Sequence, residues 1–372
     1  MPRKLAQGAV VLVALALLAF AWRCDGPWFD KHVFLPQQFF VPAGRGIVAG
    51  ARALTAAMGA LLLFLVRSLP RGASGRRLLL AVLLTVPAAE ILLRWRMDRL
   101  IRPELVAAME ALTTPDPRYG VTFRPSMDRV QPLSGREIRF QTDAERRRIP
   151  GVPVDPSLPS LVFTGESAMA GFGLPWEETF AALVGARLQL QVVNLASPNY
   201  RSDQSWLRLK DVLPELQHPV AVVGVFMPGL VGRSFAGQRH PPARSLPGGG
   251  VELEPLQPPG WIQRSGLYRL WRHLYWPDAA VGEGMRSVGA VFRDMAALAQ
   301  ARGASCVFLV TGQTPQWMLS ELFEAQGLDL VVVDLSPGDL LADGHPGPQG
   351  SIRIADALEA RLRTKLAGGA GG

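Results

Sequence analysis

The chain has 372 residues and a formal net charge of +8, a length that gives room for about two domains. The arginines are scattered and no aromatic RNA-binding signature accompanies them, so nucleic acid is not the expected partner. Two cysteines in different settings and five histidines without metal-ligand spacing indicate neither a disulfide framework nor a metal site, and no cofactor is predicted.

Residues 1–102 are predicted to form a membrane region of about three helices. Residues 5–22 carry no charge and follow Arg3 and Lys4, which is typical of a first membrane helix. Residues 47–66 and 78–93 are weaker candidates, since charged residues or a proline interrupt the ~20 apolar residues that a span prefers. A pair of buried soluble helices is the alternative for them.

The distribution of arginine predicts the orientation of these helices. Basic residues precede the first helix and fill the loop between the second and the third, so both places are expected in the cytoplasm. The third helix would then place the rest of the chain in the periplasm or outside the cell, as in a multi-pass inner-membrane protein. A second arginine cluster, just beyond residue 93, argues against this orientation.

Residues 103–158 are interpreted as a connector with a small β element. Residues 119–125 and 136–140 alternate between apolar and polar positions as strands do, with Ser134 and Gly135 as turn residues between them. The charged run at residues 145–148 is expected to be a solvated surface, or else a contact for anionic lipid headgroups.

From residue 159 the pattern alternates between short apolar strands and helices. Strands are predicted at residues 161–164, 189–195, 220–226, 306–311 and 328–335, and helices at 176–188, 202–213, 283–302 and 349–366. Such alternation predicts a parallel sheet covered by helices on both faces. A Pro/Gly-rich insertion follows the third strand up to about residue 260, and residues 367–372 are expected to be a disordered tail.

Ser167 stands at the tip of a turn directly after the first strand of this domain. Ligands of open α/β sheets bind beyond the carboxyl ends of the strands, so Ser167 is well placed to be a nucleophile. The alternative is that it caps the next helix, since serine is a favoured N-cap residue. Met169 stands where a Gly-x-Ser-x-Gly elbow would have its second glycine.

Four motifs in this order resemble those of the SGNH (GDSL-type) hydrolase superfamily. They are Gly165-Glu166-Ser167, the segment from Asn194 to Tyr200 with Asp203-Gln204, Met227-Pro228-Gly229, and Asp343-Gly344-His345-Pro346. The resemblance covers residues 159–366 and implies a flavodoxin-like three-layer α/β/α domain. The N-terminal helices lie outside it.

The resemblance implies roles for individual residues. Ser167 would be the nucleophile and His345 the general base that takes its proton. Asp343 is the nearest carboxylate to orient the histidine, with Asp339 as a possible substitute, because Ala342 stands at the position where the family usually has an acid.

The resemblance also implies an oxyanion hole with backbone N–H donors from Ser167 and Ala196. Its third donor, an asparagine in the family, is replaced by Pro228, which has neither an N–H nor a side-chain donor. Three residues are alternative candidates for the third donor: Gly229, Gln313 and Asn199.

The expected activity is therefore hydrolysis or transfer of acyl esters, esterase- or lipase-like, through an acyl-enzyme. Its substrate would be an acylated small molecule, lipid or polysaccharide, and its other partner the lipid bilayer. The altered third motif leaves an alternative, a catalytically weak or inactive domain that serves as an envelope polysaccharide-binding or assembly module.

Overall fold

The computed structural model describes residues 3–29, 31–32, 45–65, 103–233, 243–246, 250–253, 260–262, 265–268, 271, 275–311 and 314–369. The chain divides into two compact units. One comprises residues 1–38, 42–101 and 260–277, and the other comprises residues 39–41, 102–259 and 278–372.

The first unit is built on two antiparallel helices. Its helices are α1 (Arg3–Arg23), the short α2 (Gly26–Phe29) and α3 (Arg45–Leu65). Arg52 Nε donates to the carbonyl of Ala21 at 2.8 Å, and a Cβ at Gly59 would lie 2.9 Å from the carbonyl oxygen of Ala14, so the two backbones approach closely there. Among the described residues, no helix combines the length and apolar character needed to cross a membrane. The predicted helix at 78–93 lies outside the described residues.

The second unit begins with a segment that is more structured than the predicted connector. It contains α4 (Pro103–Leu112), β1 (Thr113–Asp116), β2 (Gly120–Phe123), β3 (Asp128–Leu133) and β4 (Arg136–Gln141). β1 pairs with β2 and β3 pairs with β4, both antiparallel, so the two predicted strands belong to separate hairpins. Their partners β1 and β3 have no clear apolar alternation, because a proline and several polar residues interrupt it.

The predicted parallel sheet is confirmed. Its strands are β5 (Ser160–Thr164), β6 (Gln191–Asn194), β7 (Pro219–Phe226), β10 (Ser305–Thr311) and β11 (Leu330–Val333), and β8 (Ala243–Ser245) and β9 (Val251–Leu253) form a separate hairpin. The order across the sheet is β11-β10-β7-β5-β6, with every neighbouring pair parallel. β5 is buried at all five positions, as expected for a strand covered on both faces.

Helices pack against both faces of the sheet, and Phe163 and Phe308 point to opposite faces, since Phe163 and Val307 both pair with Val223. These helices are α5 (Phe180–Leu188), α6 (Ser202–Val212), α7 (Gly229–Arg233), α8 (Asp278–Ala301), α9 (Gln316–Leu322) and α10 (Pro348–Gly369). Phe163 of β5 lies 6.4 Å from Phe180 of α5, while Phe308 of β10 lies 4.6 Å from Phe292 of α8. The sheet is therefore covered by helices on both faces, as the α/β pattern predicts.

Two predictions about this unit are wrong. The run at 145–148 is not a solvated surface, since Arg147 and Arg148 are buried and donate hydrogen bonds within the fold. The final helix continues through Gly369 into the predicted disordered tail, and residues 370–372 lie outside the described residues. α9 was not predicted, because it has only seven residues.

Candidate active site

Ser167 lies in a tight turn immediately after β5. A Cβ at Gly165 would lie 2.4 Å from a methyl group of Val225, so only glycine fits where the chain leaves the strand. The carbonyls of Glu166 and Ser167 accept hydrogen bonds from Ala170 and Phe172. Ser167 is therefore not the N-cap of α5; that residue is Thr179, whose side chain accepts from the N–H of Ala182 at 3.2 Å.

His345 reaches Ser167 from the loop between β11 and α10. Gly344 has φ +92°, a left-handed conformation that favours glycine, and the carbonyl of His345 accepts the N–H of Leu341 at 2.8 Å. The Nε2 atom of His345 lies 2.8 Å from the Oγ atom of Ser167. The imidazole also packs 5.4 Å from the ring of Phe172 and is 19% exposed.

Asp343 lies behind the imidazole. Its Oδ2 atom is 3.1 Å from His345 Nδ1, and its Oδ1 atom accepts the backbone N–H of His345 at 3.1 Å. Nδ1 is buried and Oδ2 lies off the direction of an aligned hydrogen bond, so their contact is chiefly electrostatic. A proton on Nδ1 would nevertheless face the carboxylate and leave Nε2 free to accept from Ser167.

The environment of Asp343 favours its ionised form. Burial raises the pKa of the carboxyl group, but its contacts with His345 and with the hydroxyl of Ser134 hold the pKa well below its usual value. The group is therefore an anion at neutral pH, as a carboxylate that orients a histidine must be.

Asp339, the alternative acid, has a different position and role. Its Oδ2 atom accepts from the N–H and the hydroxyl of Ser336 at 2.8 and 2.7 Å, and its Oδ1 atom lies 3.0 Å from Arg353 Nε. It holds the turn that precedes the histidine loop. Of the two candidate acids, only Asp343 is brought to His345.

Glu166 contacts the proposed nucleophile directly. Its Oε2 atom accepts a hydrogen bond from the Ser167 hydroxyl, and its Oε1 atom accepts the N–H of Ala168 at 2.9 Å. Glu166 is only 2% exposed. Because a hydroxyl has one proton, the carboxylate and His345 compete for it in this arrangement.

The predicted oxyanion donors differ from one another in the structure. The N–H of Ser167 has no acceptor among the described residues, whereas the N–H of Ala196 donates to Asn194 Oδ1 at 3.1 Å. Pro228 stands two residues after the end of β7, at the same edge of the sheet. Asn199 is exposed with φ +63°, and Gln313 lies outside the described residues.

Arg148 is a buried residue of the site that the sequence did not indicate. Its guanidinium donates to the carbonyls of Ala170 and Gly171, both at 2.6 Å, and of Leu174 at 2.5 Å. It lies 4.1 Å from the centre of the Phe140 ring. Burial lowers the pKa of Arg148 to about 9, so it stays charged at neutral pH. It holds the turn that follows Ser167.

Two surface clefts of about 680 and 410 Å³ lie near the connector, and neither is lined by Ser167 or His345. Ile149, Pro153 and Val154 contribute to both clefts. The Ser167–His345 pair is therefore separate from these two clefts. Within the described ranges, no group of His, Cys, Asp or Glu side chains is arranged to hold a metal ion.

No family model and no curated protein matches the chain. Among solved structures, the chain is similar to TesA, with 19% identity and a TM-score of 0.36, over 56% of this chain and 99% of TesA. It is also similar to the psychrotrophic esterase EstA from Pseudoalteromonas sp., with 15% identity and a TM-score of 0.35, over 56% and 98% of the two chains. A third is a lipolytic protein assigned to the G-D-S-L family from Desulfitobacterium hafniense DCB-2, with 14% identity and a TM-score of 0.35, over 55% and 98%. These names include the GDSL type that the sequence motifs resemble.

Proposed function

We propose that this protein hydrolyses or transfers acyl esters through a covalent acyl-enzyme on Ser167. The observation that carries the proposal is the 2.8 Å approach of Ser167 Oγ to His345 Nε2, with Asp343 at the opposite nitrogen of the ring. A nucleophile, a base and a group that orients the base, all in contact, are the parts that such catalysis requires. The motifs that resemble the SGNH superfamily supply the same three residues.

The reaction follows from these positions. As Ser167 Oγ attacks the ester carbonyl, its proton passes to His345 Nε2, and the Asp343 carboxylate stabilises the resulting imidazolium. The imidazolium then protonates the departing alcohol, which leaves the acyl group on Ser167. Water, or the hydroxyl of an acceptor, then gives a proton to Nε2 as it attacks the acyl-enzyme. Nε2 returns that proton to Ser167 Oγ as the bond to the acyl group breaks, and the acid or the new ester is released.

Stabilisation of the tetrahedral oxyanion is the weakest part of this site. The backbone N–H of Ser167, which has no acceptor among the described residues, can donate to the oxyanion. The N–H of Ala196 can do so only after it leaves Asn194. Pro228 supplies no donor. Since loss of one such donor costs about 10²–10³ in rate in a tested enzyme, we expect slow turnover.

A second candidate is a catalytically weak domain that binds or assembles envelope polysaccharide. Two specific contacts favour it: the Ser167 hydroxyl donates to Glu166, and the Ala196 N–H donates to Asn194. Both engage groups that catalysis needs free. The two candidates differ in whether Ser167 becomes acylated.

Ester turnover separates these candidates. A panel of p-nitrophenyl esters of increasing chain length is assayed with wild type and Ser167→Ala, with and without an added sugar alcohol as acceptor. Turnover by wild type but not by Ser167→Ala supports the serine mechanism. Formation of an acylated sugar alcohol indicates acyl transfer. Equal background rates for both folded proteins would favour the binding module.

We further propose that α1 and α3 attach the protein to a lipid bilayer, with the α/β domain in the periplasm or outside the cell. Large apolar side chains face outward on these helices: Leu12 is 69% exposed, Trp22 81% and Phe64 77%. Exposed apolar surface of this kind marks interaction with membranes or proteins. Recovery of the full chain in carbonate-washed membranes is expected, and recovery in the soluble fraction would contradict the attachment. A reporter fused after residue 366 tests on which side of the membrane the α/β domain lies.

A further inference from the structure

We infer that the turn of the β3–β4 hairpin reaches the active site and that Ser134, in that turn, is a positioning residue, which orients Asp343 toward His345. This inference rests on the proposed function, because it gives Asp343 the task of orienting the general base. The hairpin precedes the α/β domain that the sequence motifs cover, and nothing in those motifs points to it.

The turn of this hairpin is unusual for a serine. Ser134 and Gly135 form a two-residue loop between the paired residues Leu133 and Arg136, with φ +50° and +77°. Two positive φ angles define a type I′ turn, in which asparagine, aspartate and glycine are favoured. The left-handed conformation is unfavourable for serine, and such backbone strain indicates that the side chain has a function there.

That side chain meets the carboxylate behind the histidine. Ser134 Oγ donates a hydrogen bond to Oδ2 of Asp343, the same oxygen that lies 3.1 Å from His345 Nδ1. Within the part of the chain that the structure describes, the other polar contacts of the Asp343 carboxylate are with His345 itself. Among the described residues, Ser134 is therefore the one group outside the histidine loop that fixes the orientation of this carboxylate.

The hairpin is held firmly enough to perform this task. Arg136, directly after the turn, makes a two-pronged ion pair with Glu178, with N–O distances of 2.7 and 2.9 Å. A Cβ at Gly173 would lie 3.0 Å from Ser134 Oγ, so the turn also rests on the segment that follows Ser167. The hairpin thus contacts both halves of the site, the nucleophile turn and the histidine loop.

Loss of the Ser134 hydroxyl should release the Asp343 carboxylate without unfolding the hairpin. A carboxylate free to rotate no longer fixes the proton on Nδ1 of His345. A share of the histidine then carries its proton on Nε2, where it cannot accept the proton of Ser167. The consequence is a slower reaction of Ser167 and a mixed tautomer in the ring.

The test is Ser134→Gly in the full chain. Glycine suits the positive φ, so the melting temperature should be unchanged or higher. We expect labelling by a fluorophosphonate probe to be about tenfold slower, from loss of one hydrogen bond to a charged group. Ring-nitrogen chemical shifts of His345 should move from a single Nδ1–H tautomer to a mixture. Ser134→Asn should restore both readouts, because asparagine tolerates the left-handed conformation and carries an N–H donor.

Arg139→Ala is the matched control. It breaks an exposed ion pair with Asp128 on the same hairpin, 2.6 Å in length, and should leave the labelling rate and ring-nitrogen shifts as in wild type. Ser134→Gly with both readouts at wild-type values would overturn the inference. If wild type itself is not labelled, the proposed function fails, but the ring-nitrogen shifts still decide the role of Ser134: a changed tautomer supports it and an unchanged one refutes it.

Discussion

The Oγ atom of Ser167 lies 2.8 Å from Nε2 of His345, although 178 residues separate them in the chain. Parallel β-strands bring them together, because the turn after β5 and the loop after β11 leave the sheet at the same edge. Each side chain then depends on a different glycine. Gly165 lets the chain turn beside Val225, and Gly344 adopts a positive φ before His345.

Substitution of the two candidate acids should have separate effects. Asp343→Asn removes the charge beside Nδ1, so we expect at least about a 10²-fold loss of probe-labelling rate in protein that is still folded. Asp339→Asn leaves one acceptor oxygen where the carboxylate has two, one toward Ser336 and one toward Arg353, so it should lower the melting temperature and leave the labelling rate of the folded protein nearly unchanged. The reverse pattern would assign the acid to Asp339.

The stability of the folded protein at acidic pH should depend on Asp343. Its pKa is held below the usual value of about 3.9 in the folded state, so the folded protein binds fewer protons there than the unfolded chain. The resulting stability is present above about pH 4 and is lost as pH falls through the folded pKa. Between about pH 5 and pH 2, the melting temperature of wild type should therefore fall more steeply than that of Asp343→Asn. Parallel curves would contradict this linkage.

Glu166→Gln should make Ser167 more reactive. The glutamine amide can donate to Ser167 Oγ, which leaves the hydroxyl proton to His345, while its carbonyl can still accept from Ala168. Loss of one charge-assisted hydrogen bond corresponds to about a tenfold faster labelling. Glu177→Gln, an exposed carboxylate nearby, is the control and should have no effect. A slower reaction of Glu166→Gln would show that the carboxylate assists Ser167.

Arg148→Lys should weaken the turn that carries the nucleophile. The planar guanidinium serves three carbonyls at once, and an ammonium group lacks its fork geometry. A destabilisation of about 1–3 kcal/mol is expected for each buried carbonyl left without a donor, together with slower labelling. Arg124→Lys, at an exposed arginine that also donates to backbone carbonyls, should be nearly neutral. Equal stability of the two variants would refute this role for Arg148.

Much of the α/β core could be predicted because its signals are local. β5 and β7 are apolar runs of the length of buried strands, and the turn residues after them mark the edge where ligands bind. Ser167, His345 and Asp343 follow from motif order. The pairing of Asp343 rather than Asp339 with His345 depends on how one loop folds, which spacing alone left open.

The contacts of Arg148 and Ser134 could not be predicted, because each joins parts of the chain that are distant in sequence. A run of four charged residues resembles a solvated surface, yet Arg148 is buried where three carbonyls compensate its charge. The Ser-Gly pair indicated only a turn. Its position over Asp343 results from the packing of the whole hairpin.

The reaction rate of Ser167 with a fluorophosphonate is the most direct test of the central claim, that His345 activates this hydroxyl. Wild type, Ser167→Ala and His345→Ala are compared by intact-mass spectrometry, after their melting temperatures have been shown to agree. We predict a single adduct on wild type, located at Ser167, no adduct on Ser167→Ala, and a rate for His345→Ala lower by about 10³-fold or more. Labelling of His345→Ala at the wild-type rate, or an adduct that persists in Ser167→Ala, would contradict the account.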